Sequence, residues 1–222
     1  MEPEVIPAIL VKSRDELFRR IALVRGFVKE IQIDVMDGEF VPNKTVGSED
    51  LIHLPGLDGA IHYEFHWMVR NPAEWIGKIS GPHMHLVHVE TITAATFPKI
   101  IETVKKSGGR LGLAINPETP VGELFPYIKS AERILVMTVR PGFSGQKYIY
   151  EMEHKVRRIR ELFPKLDIEV DGGVNNETVP HAYANGANIL AAASAIFDND
   201  DIKSAIESLK QSALSGCFHK PH

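Results

Sequence analysis

The chain has 222 residues, of which 44% are hydrophobic and 24% charged, and its 25 basic and 29 acidic side chains leave a formal net charge of −4. That length can bury one substantial core as a single domain over residues 1–222, and the faintly acidic balance offers no electrostatic footprint for nucleic acid or an anionic membrane. Cys217 is the only cysteine, so an intrachain disulfide and a cysteine-based metal site are both excluded. Met1-Glu2-Pro3-Glu4 is acidic where a secretory signal needs basic residues, and no apolar run approaches the length of a membrane span. A cytoplasmic setting is therefore expected, and residues 217–222 are expected to be a frayed end without a function of their own.

Residues 5–10 read as a first strand. Ser13 follows as a helix cap with Glu16 three residues on, and Leu17, Ile21 and Leu23 fall at helical spacing. Further β-rich runs occupy 31–35, 61–68 and 83–89, each followed by a turn signal and a possible helical segment. A helix over 97–106 is expected to stop at Ser107-Gly108-Gly109. Strands at 111–115, 134–139, 168–170 and 189–192 complete a set of eight, and a helix over 148–163 is expected to be the longest. Strand alternating with helix from end to end predicts a parallel sheet with crossover helices. No Gly-x-Gly-x-x-Gly follows the first strand, and polar residues gather at the ends of many different strands. Both features favour a closed (β/α)8 barrel, the TIM barrel, over an open doubly wound sheet.

Several stretches carry chemistry. In Gln32-Ile33-Asp34-Val35-Met36-Asp37-Gly38, side chains two apart share a face, so Gln32, Asp34 and Met36 point to the barrel axis together. Asp37 beside Gly38 reads as a turn carboxylate. His66 and Met68 share a face on the third strand in the same way. Met137-Thr138-Val139-Arg140-Pro141-Gly142-Phe143-Ser144-Gly145 follows the sixth strand, Asp171-Gly172-Gly173 ends the seventh, and Ala193-Ser194 follows the eighth.

Taken in order with His88-Val89-Glu90 and Asn116-Pro117-Glu118-Thr119-Pro120, these segments closely resemble the signature segments of the ribulose-phosphate 3-epimerases over nearly the whole chain. The resemblance implies an isomerase interconverting D-ribulose 5-phosphate and D-xylulose 5-phosphate. In that family two aspartates on opposite faces of the substrate remove and return the C3 proton, and Asp34 and Asp171 match them. Such an inversion needs one acid and one base whose roles exchange. It also implies a divalent metal, zinc or iron, manganese or cobalt, held by Asp34, His66 and Asp171 with Gln32 as a further ligand. Met36, Met68 and Met137 match the apolar cap over the intermediate. Gly142, Gly145, Gly172, Gly173, Ala193 and Ser194 match the phosphate side, where glycines let backbone N–H groups approach an anion. A phosphorylated sugar as substrate and a homo-oligomeric state are implied with them.

The chain departs from the family at the site. Gln32 stands where the pattern has a metal-ligating histidine, Ala8 and Val11 where it has serines, and Ala193, Ser144 and Glu118 where it has glycines. Three readings fit these departures: the 3-epimerase with a modified metal site, an epimerase, isomerase or lyase on another sugar phosphate, and a non-catalytic sugar-phosphate-binding barrel.

Overall fold

The structure, a computed structural model, describes residues 1–143 and 145–215. Eight parallel strands close into a barrel in sequence order: β1 (Glu4–Ile9), β2 (Glu30–Met36), β3 (His62–Met68), β4 (Met84–His88), β5 (Arg110–Ile115), β6 (Arg133–Met137), β7 (Asp167–Asp171) and β8 (Ile189–Ala192), with β8 pairing back onto β1. The helices are α1 (Arg14–Val24), α2 (Ser48–Leu51), α3 (Pro72–Ile76), α4 (Phe97–Ser107), α5 (Glu153–Leu162), α6 (Val179–Ala184), α7 (Ser194–Phe197) and α8 (Ile202–Ser215). The expected (β/α)8 barrel is thus present, although the connection from β5 to β6 is made by 3-10 turns at Val121–Leu124 and Ile128–Ser130.

Local chemistry explains where the helices begin and end. Ser13 caps α1, its Oγ accepting from Glu16 N, but the Glu16 carboxylate pairs with Arg19 and Arg20 instead of reaching back to the cap. The buried face of α1 is Leu17, Ile21 and Val24, whereas Leu23 is 39% exposed. Four-then-three spacing keeps one face at 100° per residue, and Leu23 lies off it. Helix α4 stops where expected: Gly108 takes φ 80° and its N–H reaches Lys105 O. The expected long helix over 148–163 is shorter. Ile149 N donates to Thr138 O, which keeps that stretch extended, a 3-10 turn covers Tyr150–Met152, and α8 with 14 residues exceeds α5 with 10.

Alternation along each strand sorts the core into two layers. Ile31, Ile33 and Val35 on β2 and Tyr63, Phe65 and Trp67 on β3 belong to the large apolar layer shared with the helices. Their neighbours Gln32, Asp34, Met36, Glu64, His66 and Met68 are also buried but take no part in it, so they fill the barrel. Register then stacks them in pairs, Gln32 beside Glu64, Asp34 beside His66 and Met36 beside Met68. In the barrel, Arg133 donates to Glu30 Oε2 at 2.8 Å, pairs closely with Glu64 and lies 3.4 Å from Glu169 Oε2. These residues sit earlier on β2, β3 and β7 than Asp34, His66 and Asp171, which places a charged floor beneath the cluster described next.

Candidate active site

Four side chains from three strands meet at the C-terminal end of the barrel. Asp34 Oδ1 lies 2.9 Å from His66 Nδ1, and Asp171 Oδ2 lies 3.5 Å from the same nitrogen. Gln32 Nε2 donates to Asp34 Oδ1 at 3.0 Å and to Asp171 Oδ2 at 3.1 Å, and stands 3.3 Å from His66 Nδ1. Gln32 and His66 are fully buried and Asp34 is 5% exposed, while Asp171 is the more open carboxylate. Strand β2 is held in place at this level by Thr45, whose hydroxyl donates to Asp34 O and accepts from Met36 N.

Burial and neighbours set the charges. Burial, together with the facing Asp171 carboxylate, pushes the Asp34 carboxyl above its usual range, and the hydrogen bond with His66 opposes this. Burial alone would pull His66 down, but the carboxylates of Asp171 and Asp34 outweigh it and raise the imidazole to about 9. Behind it, His66 Nε2 meets His88 Nε2 at 2.8 Å, His88 Nδ1 lies 3.2 Å from Glu90 Oε2, and Glu90 Oε1 accepts from Asn116 N at 2.8 Å. Burial opposes ionisation of Glu90, yet its hydrogen bonds, led by that from His88, hold it down at about 2. Burial lowers His88, so the pair is a neutral imidazole anchored by a carboxylate.

A cavity opens above the cluster. Its lining contains Asp34 and Asp171, the three methionines Met36, Met68 and Met137, and on one side Gly142, Gly145, Gly172, Gly173, Ala193 and Ser194. Every site residue expected from the sequence is therefore in the cavity wall, except Gln32 and His66, which lie buried directly behind it. Met36 and Met68 pack with Val41, Leu10 and Phe40, and Met137 with Leu135 and Val139. Gly172 and Gly173 adopt φ of 114° and 66°. A Cβ on Gly172 would run into Val139, and one on Gly173 would stand 2.6 Å from Tyr148 N, so backbone alone fits this wall. The loop after β6 is tied across the mouth by Asn43 Nδ2 donating to Gly142 O and by Gln146 Nε2 donating to Arg140 O and Phe143 O.

The other departures fall differently. Ala8 is the register partner of Gln32 on β1. Val11 is buried in the layer between barrel and helices, away from the cavity. Glu118 pairs with Arg140 at 2.5 Å on the exposed rim, and Asp37 is a turn carboxylate, accepting from the N–H groups of Glu39, Phe40 and Arg70. Ser144 and residues 217–222 lie outside the described residues. Roles in the site for His88, Glu90, Thr45 and Gln146 are not evident in the sequence. The signal that could have found two of them is the spacing of His88 and Glu90, two residues apart in a segment that carries the resemblance, with His88 ending β4.

Asp34, His66 and Asp171 each offer one ligand atom, all within 4.8 Å of one another. A tetrahedral ion about 2.1 Å from each ligand needs ligand edges of roughly 3.4 Å, and the two edges at His66 Nδ1 bracket that value. Carboxylate, imidazole and carboxylate suit zinc, iron or manganese. Gln32 Oε1, buried and without a hydrogen-bond partner among the described residues, is a further oxygen beside the three. These residues fit a divalent ion.

The chain is 38% identical over 195 residues to the cytoplasmic isoform of ribulose-phosphate 3-epimerase of Oryza sativa subsp. japonica, covering 86% of this chain and 85% of that one. It is 34% identical to the ribulose-phosphate 3-epimerase of Bacillus subtilis, covering 94% and 99%. Among solved structures, 3-hexulose-6-phosphate synthase from Salmonella typhimurium superposes with a TM-score of 0.70 at 16% identity over 96% of this chain and 99% of that one, a likeness of fold. The ribulose-phosphate 3 epimerase family model matches residues 4–197, which spans all eight strands and every residue of the cluster: the chain belongs to the ribulose-phosphate 3-epimerase family.

Proposed function

We propose that this protein interconverts D-ribulose 5-phosphate and D-xylulose 5-phosphate by proton transfer at C3, with Asp34 and Asp171 as the two acid–base groups. The observation that carries this reading is the pair itself: two carboxylates from strands three apart around the barrel, β2 and β7, face one cavity and share one amide donor, Gln32. Inversion at a carbon requires removal of a proton on one face and delivery on the other, and two carboxylates whose environments differ meet that need. Burial and the facing Asp171 carboxylate hold Asp34 above its usual range, which suits it to the acid role, and Asp171 is the more open of the two.

His66, protonated between the two carboxylates, balances their charge and fixes the rotamer of Asp34. Met36, Met68 and Met137 keep water from the reacting carbon, while Gly172, Gly173, Ala193 and Ser194 with Gly142 and Gly145 take the phosphate. Asp34, His66 and Asp171 would hold a divalent ion such as zinc, iron, manganese or cobalt, which supplies Lewis-acid stabilisation of oxyanion charge when bound. A phosphorylated sugar is thus the ligand, and a cytoplasmic setting is proposed by likeness to the cytoplasmic isoform of rice.

Proton exchange in deuterated water, followed by NMR, tests the assignment. Asp34→Asn and Asp171→Asn should each abolish epimerisation, yet each should still exchange the C3 proton of one epimer, and not the same one. Loss of nothing in either variant, or exchange of both epimers in both, sinks the two-aspartate reading.

A further inference from the structure

The amide nitrogen of Gln32 occupies an unusual place. It lies 3.0 Å from Asp34 Oδ1, 3.1 Å from Asp171 Oδ2 and 3.3 Å from His66 Nδ1, so it stands amid the same three groups that converge as a ligand set. The other end of the amide, Oε1, is fully buried and accepts no hydrogen bond among the described residues. The orientation follows from the carboxylates. An amide oxygen in the same position would face two acceptors at about the same separation, whereas NH2 has one proton for each.

We propose that Gln32 is a built-in plug of this ligand set: its NH2 group holds the cation's place in the metal-free protein, and a divalent cation is admitted as the amide turns end for end and presents Oε1. The inference rests on the reading above of Asp34, His66 and Asp171 as ligands. An NH2 group directs two partly positive hydrogens at the carboxylates and does without a cation what a cation would do there. A cation arriving would meet those hydrogens, not a lone pair. Half a turn about the last side-chain bond exchanges nitrogen for oxygen with no displacement of β2. Oε1 gives up no partner among the described residues on leaving its present position, but the two hydrogen bonds that the NH2 group donates to Asp34 and Asp171 are lost. Cation binding therefore opposes an existing interaction, which a side chain without an amide would not impose.

Chelator-stripped, 15N-labelled protein titrated with Zn2+ reports the turn directly through the side-chain NH2 signals of Gln32, assigned by their loss in Gln32→His. Co2+ affinities of wild type, Gln32→His and Gln32→Glu, read from visible absorption, report the competition. The metal-free protein should show a Gln32 NH2 pair protected from water exchange, and Zn2+ should shift that pair and remove its protection. Both variants should bind Co2+ at least about tenfold more tightly than wild type. Zn2+ binding that leaves the Gln32 signals unmoved overturns the plug, as do variants that bind Co2+ no more tightly. Failure of all three proteins to bind either ion overturns the ligand set and the plug with it. Epimerase activity that survives chelation removes the ion from the reaction and leaves both Gln32 readouts standing.

Discussion

His66 and His88 meet Nε2 to Nε2 at 2.8 Å with their rings stacked 5.0 Å apart at 21°. One nitrogen must donate, and Glu90 decides which. A proton on His88 Nδ1, facing Glu90 Oε2 at 3.2 Å, leaves the His88 Nε2 lone pair to accept from His66 Nε2–H. The imidazole of His66 is thereby held with Nδ1 toward Asp34 and Asp171. His88→Ala should weaken Co2+ binding about 10–100-fold and lower stability by about 1–3 kcal/mol, since it strands a buried N–H. Co2+ titration and urea unfolding check both, and an unchanged Co2+ affinity would deny His88 a positioning role.

Arg133 answers three buried carboxylates, Glu30, Glu64 and Glu169. One guanidinium cannot neutralise three charges, and burial followed by the Glu64 carboxylate holds Glu169 well above the usual carboxylate range. Its ionised form is thus the one that the cluster disfavours. Glu169→Gln should change stability by less than about 1 kcal/mol, whereas Arg133→Met should cost about 3–5 kcal/mol by leaving buried charge unpaired. Urea unfolding of the two variants decides it, and equal costs would contradict this charge assignment.

His85 is buried on the helix-facing side of β4, its Nδ1 accepting from Trp67 Nε1 at 3.1 Å. Burial, aided by His83, lowers the imidazole to about 3. Unfolding then takes up a proton at any pH between about 3 and the ordinary histidine value of 6.5. Stability from this group is complete above 6.5 and falls as the pH drops toward 3, by at most about 1.4 kcal/mol per pH unit. His85→Gln keeps an acceptor for Trp67 and should flatten that slope in urea unfolding measured from pH 4 to pH 7. An identical slope in both proteins would remove the histidine from the acid response.

The glycine wall predicts an order of damage. Gly173→Ala and Gly172→Ala meet both a positive φ and a solid neighbour, whereas a Cβ on Gly145 meets nothing within 4 Å. The first two should each cost more than about 1 kcal/mol beyond Gly145→Ala, measured by urea unfolding. Equal costs would mean that the wall relaxes around a methyl.

Ala193→Gly probes the same side of the cavity at its one methyl beside Ser194. The Ala193 backbone has φ −106°, so glycine is not required there for conformation, and the methyl only adds bulk beside Ser194. The variant should bind inorganic phosphate more tightly than wild type in calorimetric titration. Unchanged affinity would show that the methyl does not obstruct the phosphate side.

Much of this protein is legible in the chain itself. The alternation of β2, with Ile31, Ile33 and Val35 outward and Gln32, Asp34 and Met36 inward, is a period-two pattern that any reader of the sequence can follow, and so is the stop of α4 at Gly108. Such features are local, fixed by dihedral preference and by which face must leave water. The place of Leu23 off the buried face of α1 is itself local, since Leu17, Ile21 and Val24 share one face at 100° per residue, whereas the stretch at 148–163 is shortened by a neighbour distant in sequence, the Thr138 carbonyl that accepts from Ile149 N. The centre of the site lies wholly beyond local pattern. That Gln32 directs its NH2 group at two aspartates, with Oε1 left unpartnered, and that Glu90 fixes the proton of His88 and through it the ring of His66, depend on closure of eight strands in one register. Only closure brings β2, β3, β4 and β7 within hydrogen-bond reach, because side-chain partners across a barrel are set by strand stagger and tilt, and neither is written in any single strand.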